Sequence, residues 1–256
     1  MVTHISDRQS QYSYFNQQLE GVVWQGSKIL DFGGNVGGFL ISAGTHVDHD
    51  DYWCLDITRA AIEQGKRMFP RAHFVHYDRY SSYFNPNGGR HLPVPDLGLK
   101  FDIILAFSVF THTHQSEMMD LVEQLRSMLA PQGVLGFTFC DPCYDWSLSD
   151  PELPEGTGVL VEMCEQQQVE TVSAETADLS PLPGWCVAVD DELHFEPSVQ
   201  LCQQERSGKA DESYCSYFTT DYMASLFPTA TILPPVRGEW QHCCILKNTN
   251  WVTAHS

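Results

Sequence analysis

The sequence predicts an α/β fold built on a mostly parallel sheet, and three observations predict it. Lys28-Ile29-Leu30-Asp31 is an apolar run ending in an acid; a glycine-dense turn, Gly33-Gly34-Asn35-Val36-Gly37-Gly38, and the apolar Phe39-Leu40-Ile41 follow. That pattern is a strand, a tight loop and a helix N-terminus, the geometry that holds a nucleotide at the edge of a parallel sheet. Two further runs, 52–56 and 72–78, also close on an acid, at Asp56 and Asp78. The stretch 101–112, with its core Ile103-Ile104-Leu105-Ala106, is apolar enough for a central strand covered on both faces.

The turn discriminates among ligands. The dinucleotide pattern G-x-G-x-x-G fails, because its third position is Asn35 counted from Gly33 and Val36 counted from Gly34. A phosphate-cradling P-loop needs a Gly-Lys-Ser/Thr ending, yet no Lys or Arg stands between Lys28 and Arg59. Asp31 at the strand tip suits a ligand that carries positive charge or hydroxyl donors.

Composition bounds the rest. A chain of 256 residues can bury a full core, and one domain over 1–256 with an insertion is expected. The nine cysteines are scattered and odd in number, and no secretory leader or membrane-spanning run is legible, so reduced thiols and a cytoplasmic setting are expected. The net charge of −19 argues strongly against a nucleic-acid or anionic-membrane surface, which needs clustered Lys and Arg.

Taken in order, residues 1–26 space Tyr12, Tyr14, Phe15, Leu19, Val22, Val23 and Trp24 as an amphipathic helix or packed arm. Such an arm either packs on the sheet or forms a lid in which Tyr12 or Tyr14 meets substrate. The run 46–51, rich in His and Asp, reads as a solvated loop rather than a metal site. Asp56 stands 25 residues after Asp31, near the spacing at which an acid meets the two hydroxyls of a ribose, and Ile57 beside it suits the face of the base. The plain alternative is a strand-end acid. Residues 58–69 read as a helix stopped by Pro70, and 81–100 as a loop without evident chemistry. His112 and His114 follow the central strand; an imidazole suits a general base, and equally a loop brace. Met118, Leu121, Val122, Leu125, Met128 and Leu129 predict a helix over 116–129, broken by Pro131-Gln132-Gly133 before a strand over 134–140.

Residues 141–215 form an acidic insertion, with seventeen Asp and Glu against Arg206 and Lys209. A segment this long inside a compact domain is usually a lid or a mobile loop. Its acidity either attracts a cationic acceptor or only solvates the surface. Cys140-Asp141-Pro142-Cys143 has the spacing of half a zinc site without the other half, so no metal is expected there. Asp141 can orient an acceptor or take a divalent ion, and His194 is a second candidate base. A helix over 218–227 with a Thr cap, a strand at Ile232-Leu233 and a last strand over 240–246 close the chain.

Asp31-Phe32-Gly33-Gly34-Asn35-Val36-Gly37 resembles the first motif of class I S-adenosylmethionine (SAM)-dependent methyltransferases, with Asn35 where a central glycine normally stands. Asn tolerates left-handed backbone better than most residues. Phe101-Asp102 and Ser108-Val109-Phe110-Thr111-His112 resemble the fourth motif of that family. The resemblance runs over about residues 28–140. It implies a Rossmann-like, seven-stranded, mostly parallel sheet with an antiparallel edge strand and helices on both faces. It implies SAM as cofactor, held by Asp31, Gly33, Gly34, Asn35, Gly37, Asp56 and Ile57. Asp78 would meet the adenine amino group, and Phe107 and Ser108 would border the methionine end. His112 would face the reaction side, and the insertion would cover the acceptor. The expected reaction is methyl transfer to an oxygen or nitrogen of a small molecule, as in specialised metabolism, with His112 and Asp141 as catalytic candidates and Tyr12, Tyr14, His112 and His194 as acceptor contacts. The competing reading is a non-catalytic, methyltransferase-like domain acting through protein contacts; an oxidoreductase stands further off because the glycine spacing is wrong for a dinucleotide.

Overall fold

The computed structural model describes residues 11–81, 84–158, 185–189, 192–195 and 214–248. The apolar runs become the strands of one sheet: β1 (Ile29–Phe32), β2 (Tyr52–Asp56), β3 (His73–His76), β4 (Phe101–Ala106), β5 (Leu129–Phe139), β9 (Thr231–Leu233) and β10 (His242–Lys247). Their order is β3-β2-β1-β4-β5-β10-β9. The pairs β1–β2, β1–β4, β2–β3 and β4–β5 are parallel, and β10 runs antiparallel to both neighbours. The antiparallel strand therefore sits one place in from the edge, and the short β9 closes the sheet.

Alternation along the strands builds two cores. Leu30, Phe32, Ile104 and Phe137 face one side, where α4 (Gln115–Ser127) and α5 (Thr220–Leu226) supply Leu121, Leu125 and Met223. Ile29, Ile103, Leu105 and Ile245 face the other, against α1 (Gln11–Gln18), α2 (Gly38–Ala43) and α3 (Arg59–Met68). Parallel register puts Ile29 beside Ile103 and Leu30 beside Ile104, so each face stays continuous. Gly65 of α3 is a packing glycine: a Cβ there would lie 2.2 Å from the Phe74 ring of β3.

Four expectations about boundaries change. The central strand ends at Ala106, and a short turn, Phe110–His112, follows it. The helix before β5 stops at Ser127, and Leu129 already belongs to the strand. Pro131-Gln132-Gly133 forms a bulge within β5, opposite Phe101–Ile103, with Gln132 at φ 66°. Phe218 is the last residue of a strand, not the first of a helix; Thr219 caps α5 by accepting from the Tyr222 N–H at 3.3 Å.

Within and just beyond 141–215, the described residues include β6 (Trp185–Val189), β7 (Glu192–Phe195) and β8 (Tyr214–Phe218), a small antiparallel sheet in the order β7-β6-β8. β8 joins the main domain. Tyr217 bridges to Cys140, the Phe218 N–H donates to the Cys140 carbonyl at 2.8 Å, and the buried Ser216 hydroxyl donates to the Thr113 carbonyl at 2.6 Å. No helix among the described residues is long and apolar enough to cross a membrane.

Candidate active site

Strand order reverses between β1, which continues toward β2, and β4 on its other side. In an open parallel sheet that reversal leaves a crevice at the carboxyl ends of the strands. A cleft of about 370 Å³ opens there, within the range of small-molecule sites. Its floor comes from Phe32-Gly33-Gly34-Asn35 after β1, Leu55-Asp56-Ile57-Thr58 at the end of β2, and Phe107-Ser108-Val109 after β4.

The glycine turn is shaped by what presses on it. Gly33 has φ 78°, and a Cβ there would lie 2.4 Å from Val109 Cγ2. At Gly34 a Cβ would stand 2.3 Å from the Asp31 carboxylate and 2.9 Å from Cys54 Sγ. Asn35 adopts φ 54°, so the turn keeps the left-handed step that a glycine would supply. Its backbone N–H donates to Asp56 Oδ2 at 2.8 Å, and the Thr58 N–H donates to Oδ1 at 2.6 Å. These two donors fix Asp56 on the cleft floor.

On the other side of the floor, the Phe107 ring is gripped edge-on by Tyr14 at 5.4 Å and Phe15 at 6.0 Å. Ser108 has φ 55°, unusual for a residue with a side chain. Its N–H donates to Thr138 Oγ1 at 2.7 Å, and that buried hydroxyl donates to Gln241 Oε1 at 2.5 Å. His112 and Thr113 line the cleft from the turn after β4, with the His112 ring 5.3 Å from Phe84 in a T-shaped contact.

The structure thus brings Gly33, Gly34, Asn35, Asp56, Ile57, Phe107, Ser108 and His112 to one cleft. It does not bring the other candidates to that wall. Asp31 is buried beneath the turn, where its carboxylate accepts from the Tyr52 hydroxyl; burial and this carboxylate push the Tyr52 phenol well up. Gly37, at φ 88°, caps α2 and packs on Phe74. Asp78 turns outward and accepts from Asn85 Nδ2 at 3.0 Å. Tyr12 stacks on His46 at 5.0 Å, and the buried Tyr14 donates to the Gln241 carbonyl at 2.9 Å; Gln11 is the residue of the arm that reaches the cleft. Asp141 braces α5, accepting from Thr220 N at 2.8 Å and Thr220 Oγ1 at 2.7 Å. His194 pairs in register with Val187, and its side chain lies outside the described residues. His114 precedes α4 and does not line the cleft; burial lowers its imidazole, against the pull of Glu117.

Residues that sequence reasoning passed over complete the wall. Ser81 and Phe84 come from the loop over 81–100 read as having no chemistry, Arg79 and Tyr80 from just before it, and Glu117 and Leu121 from the helix read as core. An Arg and four aromatics, Tyr77, Tyr80, Tyr83 and Phe84, within eight residues after a strand are a sequence signal that could have marked this stretch. Arg79 donates to Glu117 Oε1 at 2.9 Å, Asp120 Oδ2 at 3.2 Å, the Leu92 carbonyl at 2.7 Å and the Tyr77 hydroxyl at 3.3 Å. Burial works against its charge, but the Tyr77 and Glu117 oxygens outweigh that and hold the guanidinium protonated more firmly than usual.

Comparison with known proteins agrees with this fold. Residues 30–135 match the family model described as a methyltransferase domain. Magnesium protoporphyrin IX methyltransferase (ChlM) from Synechocystis PCC 6803, solved with bound SAH, superposes with a TM-score of 0.51 at 10% identity, covering 96% of this chain and 83% of that one. The glycopeptide N-methyltransferase MtfA complexed with SAM superposes at 0.53 with 10% identity, covering 93% and 92%. The PH0226 protein from Pyrococcus horikoshii OT3 gives 0.52 at 16% identity, covering 93% and 89%. At these identities the likeness is one of fold. A search of curated proteins returns no sequence match.

Proposed function

We propose that this chain, a Rossmann-like class I methyltransferase domain by fold and by its match over 30–135, is a SAM-dependent methyltransferase acting on an oxygen or nitrogen of a small-molecule acceptor. One observation carries the reading: the glycine turn and Asp56 meet at the strand-order reversal, joined by the Asn35 N–H to Asp56 bond at 2.8 Å. The chemistry of the cleft fits this cofactor better than a phosphate. Among the described residues the one Lys or Arg on its wall is Arg79, which is already paired with Glu117 and Asp120. Asp56 offers acceptors to ribose hydroxyls.

Bound in the cleft, SAM supplies a methyl group activated by its sulfonium. The chain's own part is to hold, orient and desolvate. Asp56 accepts from the two ribose hydroxyls, and Ile57 packs on the adenine. Phe107 and Ser108 border the methionine end. His112, on the turn after β4, takes the proton from the acceptor oxygen or nitrogen. The insertion 141–215, followed directly by Ser216, which is tied to that turn, covers the acceptor, and the arm contributes Gln11 to the cleft.

The test is calorimetric titration of SAM into the wild-type protein and into Asp56→Ala. Micromolar binding that weakens at least a hundredfold in the variant is expected, because both ribose bonds and the Asn35 anchor go together. No heat and no thermal shift with millimolar SAM would sink the cofactor reading.

A further inference from the structure

We infer that Glu117 on α4, rather than the strand-end acid Asp78, accepts the hydrogen bond of the adenine amino group; this rests on the cofactor reading above. Asp78 is exposed and committed to Asn85. The carboxylates on the cleft wall, among the described residues, are Asp56 and Glu117. Asp56 sits at the end of β2, already engaged by two backbone donors suited to a sugar-binding position. Glu117 is drawn toward the end of β3, because Arg79 just beyond that strand holds its Oε1.

Arg79 acts as a clamp, not as a ligand donor. Its side chain is 6% exposed, and its other bonds go to Tyr77, Leu92 and Asp120. Glu117 is 28% exposed, and a carboxylate with one oxygen engaged keeps several acceptor positions. Leu55, Ile57, Tyr77 and Leu121 also line the cleft and belong to one apolar cluster. An apolar slot with one fixed anionic acceptor on its rim suits a flat, apolar ring with an N–H donor on one edge. A 6-aminopurine has that form, and the bond it would make is charge-assisted.

The experiment compares S-adenosylhomocysteine with its analogue carrying hydrogen in place of the 6-amino group, both titrated into wild-type, Glu117→Ala and Asp78→Ala proteins. The wild-type protein should prefer the amino ligand about ten- to hundredfold. Glu117→Ala should cut that ratio to within about threefold, and Asp78→Ala should leave it intact. The ligands differ only in the amino group, so a general loosening of the cleft after Arg79 loses its partner weakens both and leaves the ratio unchanged. A ratio that survives in Glu117→Ala, or disappears in Asp78→Ala, overturns the inference. A wild-type ratio near one overturns it without any variant, should Glu117→Ala fail to fold. Failure of the wild-type protein to bind either ligand is the separate result that removes the cofactor reading itself.

Discussion

At the scale of the residue, the most instructive position is Ser108. A side chain at φ 55° costs on the order of 1 kcal/mol or more, and such a conformation persists only where its surroundings hold it. Thr138 does the holding: fully buried, it accepts from the Ser108 N–H and donates to Gln241. Thr138→Val keeps the shape but strands both partners, so a loss of about 2–4 kcal/mol in stability is expected. SAM affinity should fall about tenfold as Ser108 relaxes. Thr138→Ser, which keeps the hydroxyl, should restore both. Urea unfolding and calorimetric titration of the two variants measure this. A valine variant that unfolds and binds like wild type would show that Ser108 is held by something else.

At the scale of the element, β8 and the turn Phe110–His112 form one unit. The sequence separates Ser216 from Thr113 by 103 residues, yet the Ser216 hydroxyl reaches the Thr113 carbonyl at 2.6 Å in a fully buried setting. Asp141 adds a second tie by receiving the first turn of α5 through Thr220. The acidic insertion thereby ends on the strand that supports the His112 turn. Removing the hydroxyl in Ser216→Ala should speed hydrogen exchange of the amides at 111–114 about tenfold while leaving those of β1 unchanged. Exchange read by mass spectrometry checks it, and equal protection in both proteins would separate β8 from the turn. The bulge in β5 shows why such elements are hard to bound from sequence. Met128 and Leu129 extend the helical stripe of α4 equally well on paper, but the helix stops at Ser127 and Leu129 pairs with Phe101.

At the scale of the whole molecule, pH dependence on the acid side has an identifiable contributor in the core. His242 is 3% exposed, stacks on Phe139 at 5.2 Å and meets the Tyr144 ring edge-on at 4.6 Å; its Nδ1 has no partner among the described residues. Burial pushes its imidazole down to about 4, against the opposing pull of the Asp141 carboxylate. In the unfolded chain the same group protonates near pH 6.5. The unfolded state therefore binds the extra proton first, so the stability that His242 permits is complete above about pH 6.5. It is lost as pH falls from there to about 4. The full loss is on the order of 3 kcal/mol. His242→Phe, which suits the aromatic surroundings, should flatten the slope between those values. Urea midpoints for both proteins across that range decide it, and the difference between them isolates His242 from the many carboxylates of a chain with net charge −19. Identical slopes would place the buried proton uptake elsewhere.

What the sequence determined by itself was the order of elements and the place of the turn. Apolar runs of period two, helical stripes of period 3.6 and a cluster of glycines are local properties, fixed by backbone sterics and by which face must be dry. For the same reason Asn35, Asp56, Phe107 and Ser108 were legible as cleft residues: each lies within a few positions of a strand's carboxyl end. Only the tertiary structure decided which acids face the cleft. Asp31 and Asp78 sit at equally suggestive strand ends, yet one is captured by Tyr52 and the other by Asn85, while Glu117 is turned into the wall by an arginine 38 residues away. A carboxylate goes to whichever donor the folded chain brings within about 3 Å, and the spacing of acids along a sequence does not contain that distance.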